Sequence, residues 1–227
     1  MKSPIIKKAV GSRKKNLDLL DSLRLLESCK IPVARYKFVK KAEEANDFCR
    51  KIGYPVVLKA VGPDILHKTE LGAVIAGIKD EKELDSAFTR MHAEIKKKNK
   101  KAVIFGFVVQ QMAHGQELLV GGKFDIQFHQ VLVFGLGGIF TEVFDDVSMR
   151  VVPVSPTQVK EMISEIKGYK ILRGYRGIKY DLKGIEDVLS RVSKLLDDNP
   201  EIKELDINPL FVSSKGAVAA DARVVLG

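Results

Sequence analysis

At about residue 102 the texture of this sequence changes, and that change limits the architectures open to the chain. Upstream, apolar residues recur at helical spacing. Leu19, Leu20, Leu23 and Leu26 share one face behind Asn16, which can cap the helix, and Ala42, Ala45, Phe48, Cys49 and Ile52 form a second face that ends at Gly53. Asp80 followed by Glu83 signals a third helix, carrying Leu84, Phe88, Met91 and Ile95. In this half only residues 56–61 read as a strand, and their poor alternation and β-branched content fit burial on both faces. Downstream, residues 102–112, 118–122 and 131–135 look like short strands with Gly-containing turns between them, spaced for an antiparallel sheet. Ser155-Pro156 then opens a helix of Val159, Met162, Ile163 and Ile166 that Gly168 stops, residues 185–196 form another, and 205–212 and 217–226 close the chain as strands. The pattern predicts an α/β (α+β) chain with a basic tail at 1–15, a first lobe at 16–105 and a second at 106–227, each pairing a mixed or antiparallel sheet with helices.

Composition narrows the function classes. The 227 residues are 45% hydrophobic, ample for a core. No run approaches the ~18 apolar residues of a membrane span, and the first residues lack a signal-peptide core, so the expected location is the cytoplasm, with no membrane partner. Cys29 and Cys49 lie in helical segments without metal-ligand spacing and read as structural thiols. The formal charge of +9 comes mostly from residues 1–40, which hold eleven Lys/Arg against three Asp/Glu. A basic segment can hold an acidic partner surface or RNA, but no aromatic stacking platform or groove-reading motif accompanies it, so nucleic acid is not the expected partner. The run KKKNKK at 96–101 ends a predicted helix, where cations complement the dipole.

Four segments carry chemistry. Lys59 sits inside the apolar run PVVLKAV, where an ammonium calls for a counter-charge such as a phosphate; a snorkelling lysine at a strand edge is the plain structural explanation. Next, GPDILHKTELGA sets Asp64, His67, Lys68 and Glu70 in a glycine-bounded loop of residues 62–72. A histidine with one unprotonated nitrogen is a nucleophile toward phosphorus, a carboxylate on the other nitrogen raises its basicity, and Lys68 can neutralise phosphoryl oxygens, although a lone loop histidine is more often an ordinary polar residue. In FGLGGIFTEVFDDV, Gly135, Gly137 and Gly138 follow a strand, where backbone N–H groups can approach phosphate oxygens; the Gly-Lys-Ser/Thr ending of a Walker loop is absent, and tight turns use glycines too. Upstream, QQMAHGQELLVG places Gln110, Met112 and Glu117 where an adenine or ribose can be held. Near the C-terminus, Asp206, Asn208 and Asp221 lie on two strands that the turn SSKG can pair, so that Asn208 and Asp221 converge as oxygen ligands suited to magnesium; an ion pair with Arg223 is the competing explanation.

Taken together, GYPVVLKAVGPDILHKTELGAV, the D-x-Q-F of 125–128, FGLGGIFTEVFDDVSMRVVPV, GYRG at 174–177 and ELDINPL with ADARVVL resemble the β subunits of archaeal ADP-forming acetyl-CoA synthetases. These belong to the nucleoside-diphosphate-forming acyl-CoA synthetases, related to succinyl-CoA synthetase. The resemblance covers roughly residues 17–226. It implies an ATP-grasp fold whose two lobes clasp a nucleotide, and the reversible conversion of acyl-CoA, ADP and phosphate to acid, ATP and CoA through an acyl phosphate and phosphohistidines. It places the phosphohistidine at His67, the nucleotide-phosphate lysine at Lys59, the magnesium ligands at Asn208 and Asp221, and a supporting carboxylate at Asp206. Glu117 matches the nucleotide-binding stretch, and Gly137 and Gly138 the glycine-rich segment. ATP or ADP and Mg²⁺ are the implied cofactors, and a CoA-binding α subunit in an α2β2 assembly the implied partner. The chain departs from the family where Phe-Gly-Pro becomes Phe128-His129-Gln130 and Gly-Ile-Pro becomes Lys30-Ile31-Pro32. A stand-alone ATP-grasp carboxylate–amine ligase and a non-catalytic nucleotide-sensing module are the rival readings; neither needs the His67-Lys68 loop.

Overall fold

The computed structural model describes residues 2–63, 65, 71–138 and 146–227. They divide into two compact units, one formed by residues 1–33 and 113–227 and the other by residues 34–112.

The contiguous unit is built on a four-stranded antiparallel sheet in the order β1-β4-β2-β3, from β1 (Tyr36–Val39), β2 (Val56–Val61), β3 (Val74–Ile78) and β4 (Gly106–Gln111). Two helices cover one face: α3 (Ala42–Ile52) and α4 (Glu81–Lys98). The period of two in β2 explains the layering. Val56, Leu58 and Ala60 point at Phe88, Met91 and Ile95 of α4, together with Phe107 and Val109 of β4, and form the core. Each fully buried Leu, Ile or Met here is worth about 1.5–3 kcal/mol relative to exposure. Asp80 caps α4 through its carboxylate, which accepts from the Glu83 N–H at 2.8 Å, while the Glu83 carboxylate accepts from the Lys79 N–H at 2.8 Å. Lys96, Lys97 and Lys98 fill the last turn, as the helix dipole favours, and Lys96 also donates to the Ala102 carbonyl at 2.9 Å.

The discontinuous unit carries a six-stranded antiparallel sheet of β5 (Gln116–Asp125), β6 (His129–Leu136), β7 (Val147–Val151), β8 (Ile202–Ser213), β9 (Gly216–Ala219) and β10 (Arg223–Leu226). Its strand order is β10-β8-β5-β6-β7, and β9 pairs with the far half of β8. Helices α5 (Pro156–Glu165), α6 (Tyr169–Leu172) and α7 (Leu182–Asp198) belong to this unit, as do α1 (Pro4–Gly11) and α2 (Leu19–Ser28). Leu118 and Val120 of β5, Leu132 and Phe134 of β6 and Leu205, Ile207 and Leu210 of β8 are buried on the same face, toward α7. A Cβ at Gly122 would lie 2.4 Å from Leu196 Cδ1, so only glycine lets α7 lie this close to β5. Ser155 and Gln158 form a reciprocal capping box at the start of α5, with Pro156 in its first turn.

Three expectations are corrected. The two units are not divided at 105/106: β4 pairs with β1 and β2, so the strand at 106–111 belongs with the preceding residues, while residues 16–33 pack with the C-terminal part. Residues 1–15 are not a separate tail. Helix α1 buries Ile6 and Ala9, the Ser3 N–H donates to Asn199 Oδ1 at 2.9 Å, and the Leu17 N–H donates to the Val224 carbonyl at 3.0 Å. Helix α2 is capped by Asp18, which accepts from the Asp21 N–H at 2.9 Å, whereas Asn16 forms a bridge with Val225. Among the described residues no helix is long and apolar enough to cross a membrane.

Candidate functional site

The predicted site residues fall into groups, each within one unit. His67 and Lys68 lie outside the described residues. So do Asp64 and Glu70 of the same loop.

In the contiguous unit, Lys59 and Gln110 occupy neighbouring strands on the sheet face away from the helices. Register pairs Lys59 with Val108 and Val57 with Gln110, and directly paired residues share a face. Lys59 is only 5% exposed and Gln110 1%. An ammonium buried in a β-sheet is held by surrounding polar groups or by an anion, and this one stands beside an amide whose Nε2 donates to the Ala34 carbonyl at 3.4 Å. Met112 follows β4 and donates its N–H to the Pro55 carbonyl at 3.3 Å.

In the discontinuous unit, the sheet face opposite α7 collects the polar residues. Glu117 alternates with buried Leu118 and points to that face. The Gly137 N–H donates to the Glu117 carbonyl at 2.8 Å, and a Cβ at Gly137 would lie 3.1 Å from both the Glu117 Cβ and the Leu118 nitrogen. Gly138 has φ of +68°, and its missing Cβ would stand 3.2 Å from Glu117 Oε2. The end of β6 thus turns in a left-handed backbone geometry directly over the exposed Glu117 carboxylate, with no side chain on either glycine to cover it.

Further across the same face, Asp206 pairs with Gly121 on one side and Arg223 on the other. The ladder on the β9/β10 side of β8 is interrupted between the pairs Asp206–Arg223 and Leu210–Ala219. Residues 207–209 therefore oppose 220–222, and Asn208 stands across from Asp221. The Ala220 N–H donates to the Pro209 carbonyl at 3.0 Å, which closes the gap, and the Asp221 carboxylate accepts from the Ala222 N–H at 2.7 Å. Asn208 is exposed and Asp221 half-buried. The strand 217–226 expected from sequence is two strands with Asp221 in the break, and Arg223 pairs with Glu204, 3.5 Å away. An amide and a carboxylate brought opposite one another by register are oxygen donors of the kind magnesium takes. Among the described residues no group of three or more His, Cys, Asp or Glu side chains could hold a metal.

The other titratable candidates play structural parts. His129 opens β6 with φ of +60° and sets its ring edge-on to Phe124, with centroids 6.1 Å apart. Burial pushes both the Cys29 and Cys49 thiols up, which keeps them inert. Sequence reasoning passes over Asp146, a buried carboxylate whose one signal is that it closes the acidic pair ending FGLGGIFTEVFDDV.

Comparison with known proteins fits this geometry. A family model of the ATP-grasp domain matches residues 8–226. The I subunit beta of the ADP-forming acetate–CoA ligase of Pyrococcus furiosus is 40% identical over 208 residues, 91% of this chain and 90% of that subunit. The ADP-forming acetate–CoA ligase I of Archaeoglobus fulgidus is 44% identical over 209 residues; the match covers 91% of this chain but 30% of that longer protein. Among solved structures, the dinucleotide forming acetyl-coenzyme A synthetase 1 of Ca. Korarchaeum cryptofilum, in complex with coenzyme A, Ca-AMPCP and HgCl+, superposes with a TM-score of 0.93 at 39% identity, covering 98% of both chains. The same enzyme with coenzyme A and Mg-AMPPCP, its phosphohistidine segment pointing towards the nucleotide binding site, gives a TM-score of 0.84 at 36% identity over 98% of both chains. The chain therefore belongs to the ATP-grasp family and, within it, to the beta subunits of ADP-forming acetate–CoA ligases.

Proposed function

We propose that this chain is the nucleotide-binding subunit of a cytoplasmic ADP-forming acyl-CoA synthetase. It works with a CoA-binding α subunit in an α2β2 assembly and converts acyl-CoA, ADP and phosphate reversibly to the acid, ATP and CoA. The observation that carries the reading is the single open sheet face on which Glu117 lies beneath the Gly137–Gly138 turn and Asn208 opposes Asp221. The extent of the match to a beta subunit, about nine-tenths of both chains, supports it.

In this reading ATP or ADP binds with its phosphates toward Gly137 and Gly138 and with Glu117 on the nucleoside side; Gln110 and Met112 are the contiguous unit's nucleotide-binding residues. Lys59 and Lys68 neutralise phosphoryl oxygens. Asn208 and Asp221 would hold Mg²⁺, which would draw charge from the transferring phosphoryl group. Asp206 is the carboxylate that supports the phosphoryl acceptor or the metal. In the direction of ATP synthesis the N–P bond of phosphorylated His67 breaks, a new P–O bond forms to the terminal oxygen of ADP, and the ring nitrogen recovers its lone pair. Alignment and charge neutralisation are what phosphoryl transfer asks of a protein, and the residues named supply both.

The test is phosphoryl labelling. With γ-labelled ATP, Mg²⁺ and the partner subunit, the chain is expected to acquire an acid-labile, base-stable label that His67→Ala abolishes. Equal labelling of wild type and His67→Ala would sink the relay.

A further inference from the structure

The residues around the glycine turn contain a brace to which no part of the proposed reaction assigns a role. Asp146, 8% exposed, sits immediately before β7. Its carboxylate accepts two short hydrogen bonds from consecutive backbone groups at the α5–α6 junction, the Lys167 N–H at 2.6 Å and the Gly168 N–H at 2.7 Å. These are charge-assisted bonds in a buried setting, the strong kind. Gly168 in turn lies directly against Leu136, where a Cβ would come within 2.3 Å of Leu136 Cδ1. On the other side, a Cβ at Gly135 would lie 2.7 Å from the Asp146 carbonyl oxygen. Leu136 leads straight into Gly137, whose N–H holds the Glu117 carbonyl. A closed chain of close packing and hydrogen bonds therefore runs from Asp146 through Gly168 and Leu136 to the turn, and back through Gly135.

We propose that Asp146 is a positioning residue for nucleotide phosphate binding: its carboxylate fixes the α5–α6 junction under Leu136 and so sets where the Gly137–Gly138 turn presents the Gly138 N–H. The inference rests on the reading that this turn faces the phosphates. Asp146 itself reaches no substrate. Its effect is on geometry, and backbone donors to an anion lose much of their worth when misplaced.

Asp146→Asn keeps the shape but turns an N–H₂ donor toward one of two N–H donors. A control is available in Glu165, which joins α5 to β7 through other partners, accepting from Ser148 Oγ at 3.0 Å and pairing with Arg150. The experiment is calorimetric titration of the full chain with Mg²⁺·ADP, alongside thermal unfolding, for wild type, Asp146→Asn and Glu165→Gln. Asp146→Asn is expected to weaken binding roughly tenfold, while Glu165→Gln lowers Tm without moving Kd. Should Asp146→Asn not fold, Gly168→Ala presses on Leu136 from the other side of the brace and is expected to weaken binding likewise. Wild-type affinity in the folded Asp146→Asn chain, or an equal loss in Glu165→Gln, overturns the inference while leaving the nucleotide reading intact. A wild-type chain that does not bind Mg²⁺·ADP overturns both.

Discussion

Lys59 shows how one residue gathers its meaning from context. In sequence it is a cation in an apolar run, equally readable as a snorkelling edge lysine; in the fold it stands on β2, a central strand, 5% exposed, so the edge explanation falls. Replacing it with methionine keeps the volume and removes the charge. Lys59→Met is expected to keep its far-ultraviolet circular dichroism and to lose roughly 10²-fold in turnover, the scale for removing one electrostatic contact to a transferring group; turnover near wild type would remove Lys59 from the phosphoryl path. Asp221 teaches the converse. Sequence placed it on a strand paired with the one bearing Asn208; in the fold it lies in the break between β9 and β10, where the ladder with β8 is interrupted. Asp146 was illegible, since a buried carboxylate that serves distant backbone N–H groups has no local pattern.

Local elements were legible where their signals are local. The Asp80 and Ser155 caps act within one turn of their own helices, so four consecutive residues carry the information. Asp80→Ala is expected to cost about 1 kcal/mol, read as a lowered denaturation midpoint with unchanged slope; no shift would mean that α4 does not depend on its cap. Elements defined by distant partners were missed. Helix α1 hides a short buried pair among lysines, β3 carries Gly77 in its interior, and β1 is four residues long. The β5–β6 turn allows a pH prediction. Asp125 accepts from the Phe128 N–H at 3.0 Å and the Gln127 N–H at 2.8 Å, and these two bonds hold its carboxyl below the usual range. A folded pKa below the unfolded one means that the turn's stability is complete above about pH 3.9 and is lost as pH falls through the lower folded value. Amide exchange at Gln127 and Phe128, corrected for its intrinsic pH dependence, should lose protection in that acid window and be unprotected at all pH values in Asp125→Ala. Protection that is constant across the window would count against the turn.

At the scale of the whole molecule, residues 34–112 are an insertion in a unit formed by what precedes and follows them. The sequence hid this because strand texture looks alike on both sides of residue 105, whereas sheet membership is decided by partners far along the chain. The exit and return points are separated by two strands of the host unit: Val33 bridges to Ala219 on β9, β9 pairs with β8, and Gln116 on β5 pairs with Val212 on β8. Three strand spacings amount to ~14 Å, which a few residues can bridge. A chain in which residues 34–112 are replaced by a short Gly/Ser linker is expected to keep the six-stranded sheet and unfold cooperatively; a molten product would show that the host needs its insert.

The same interruption dictates an order of assembly. A ribosome releases the inserted segment, with its four strands and two helices, before any strand of the host sheet exists. Until then α1 and α2 have nothing to dock on, since Leu17 awaits Val224 and Val33 awaits Ala219. Contacts spanning nearly the full chain are the slowest to close. Helices α1 and α2 thus find their places only after the later strands of their own unit are made, and until then their apolar faces stay open to solvent and to chaperones.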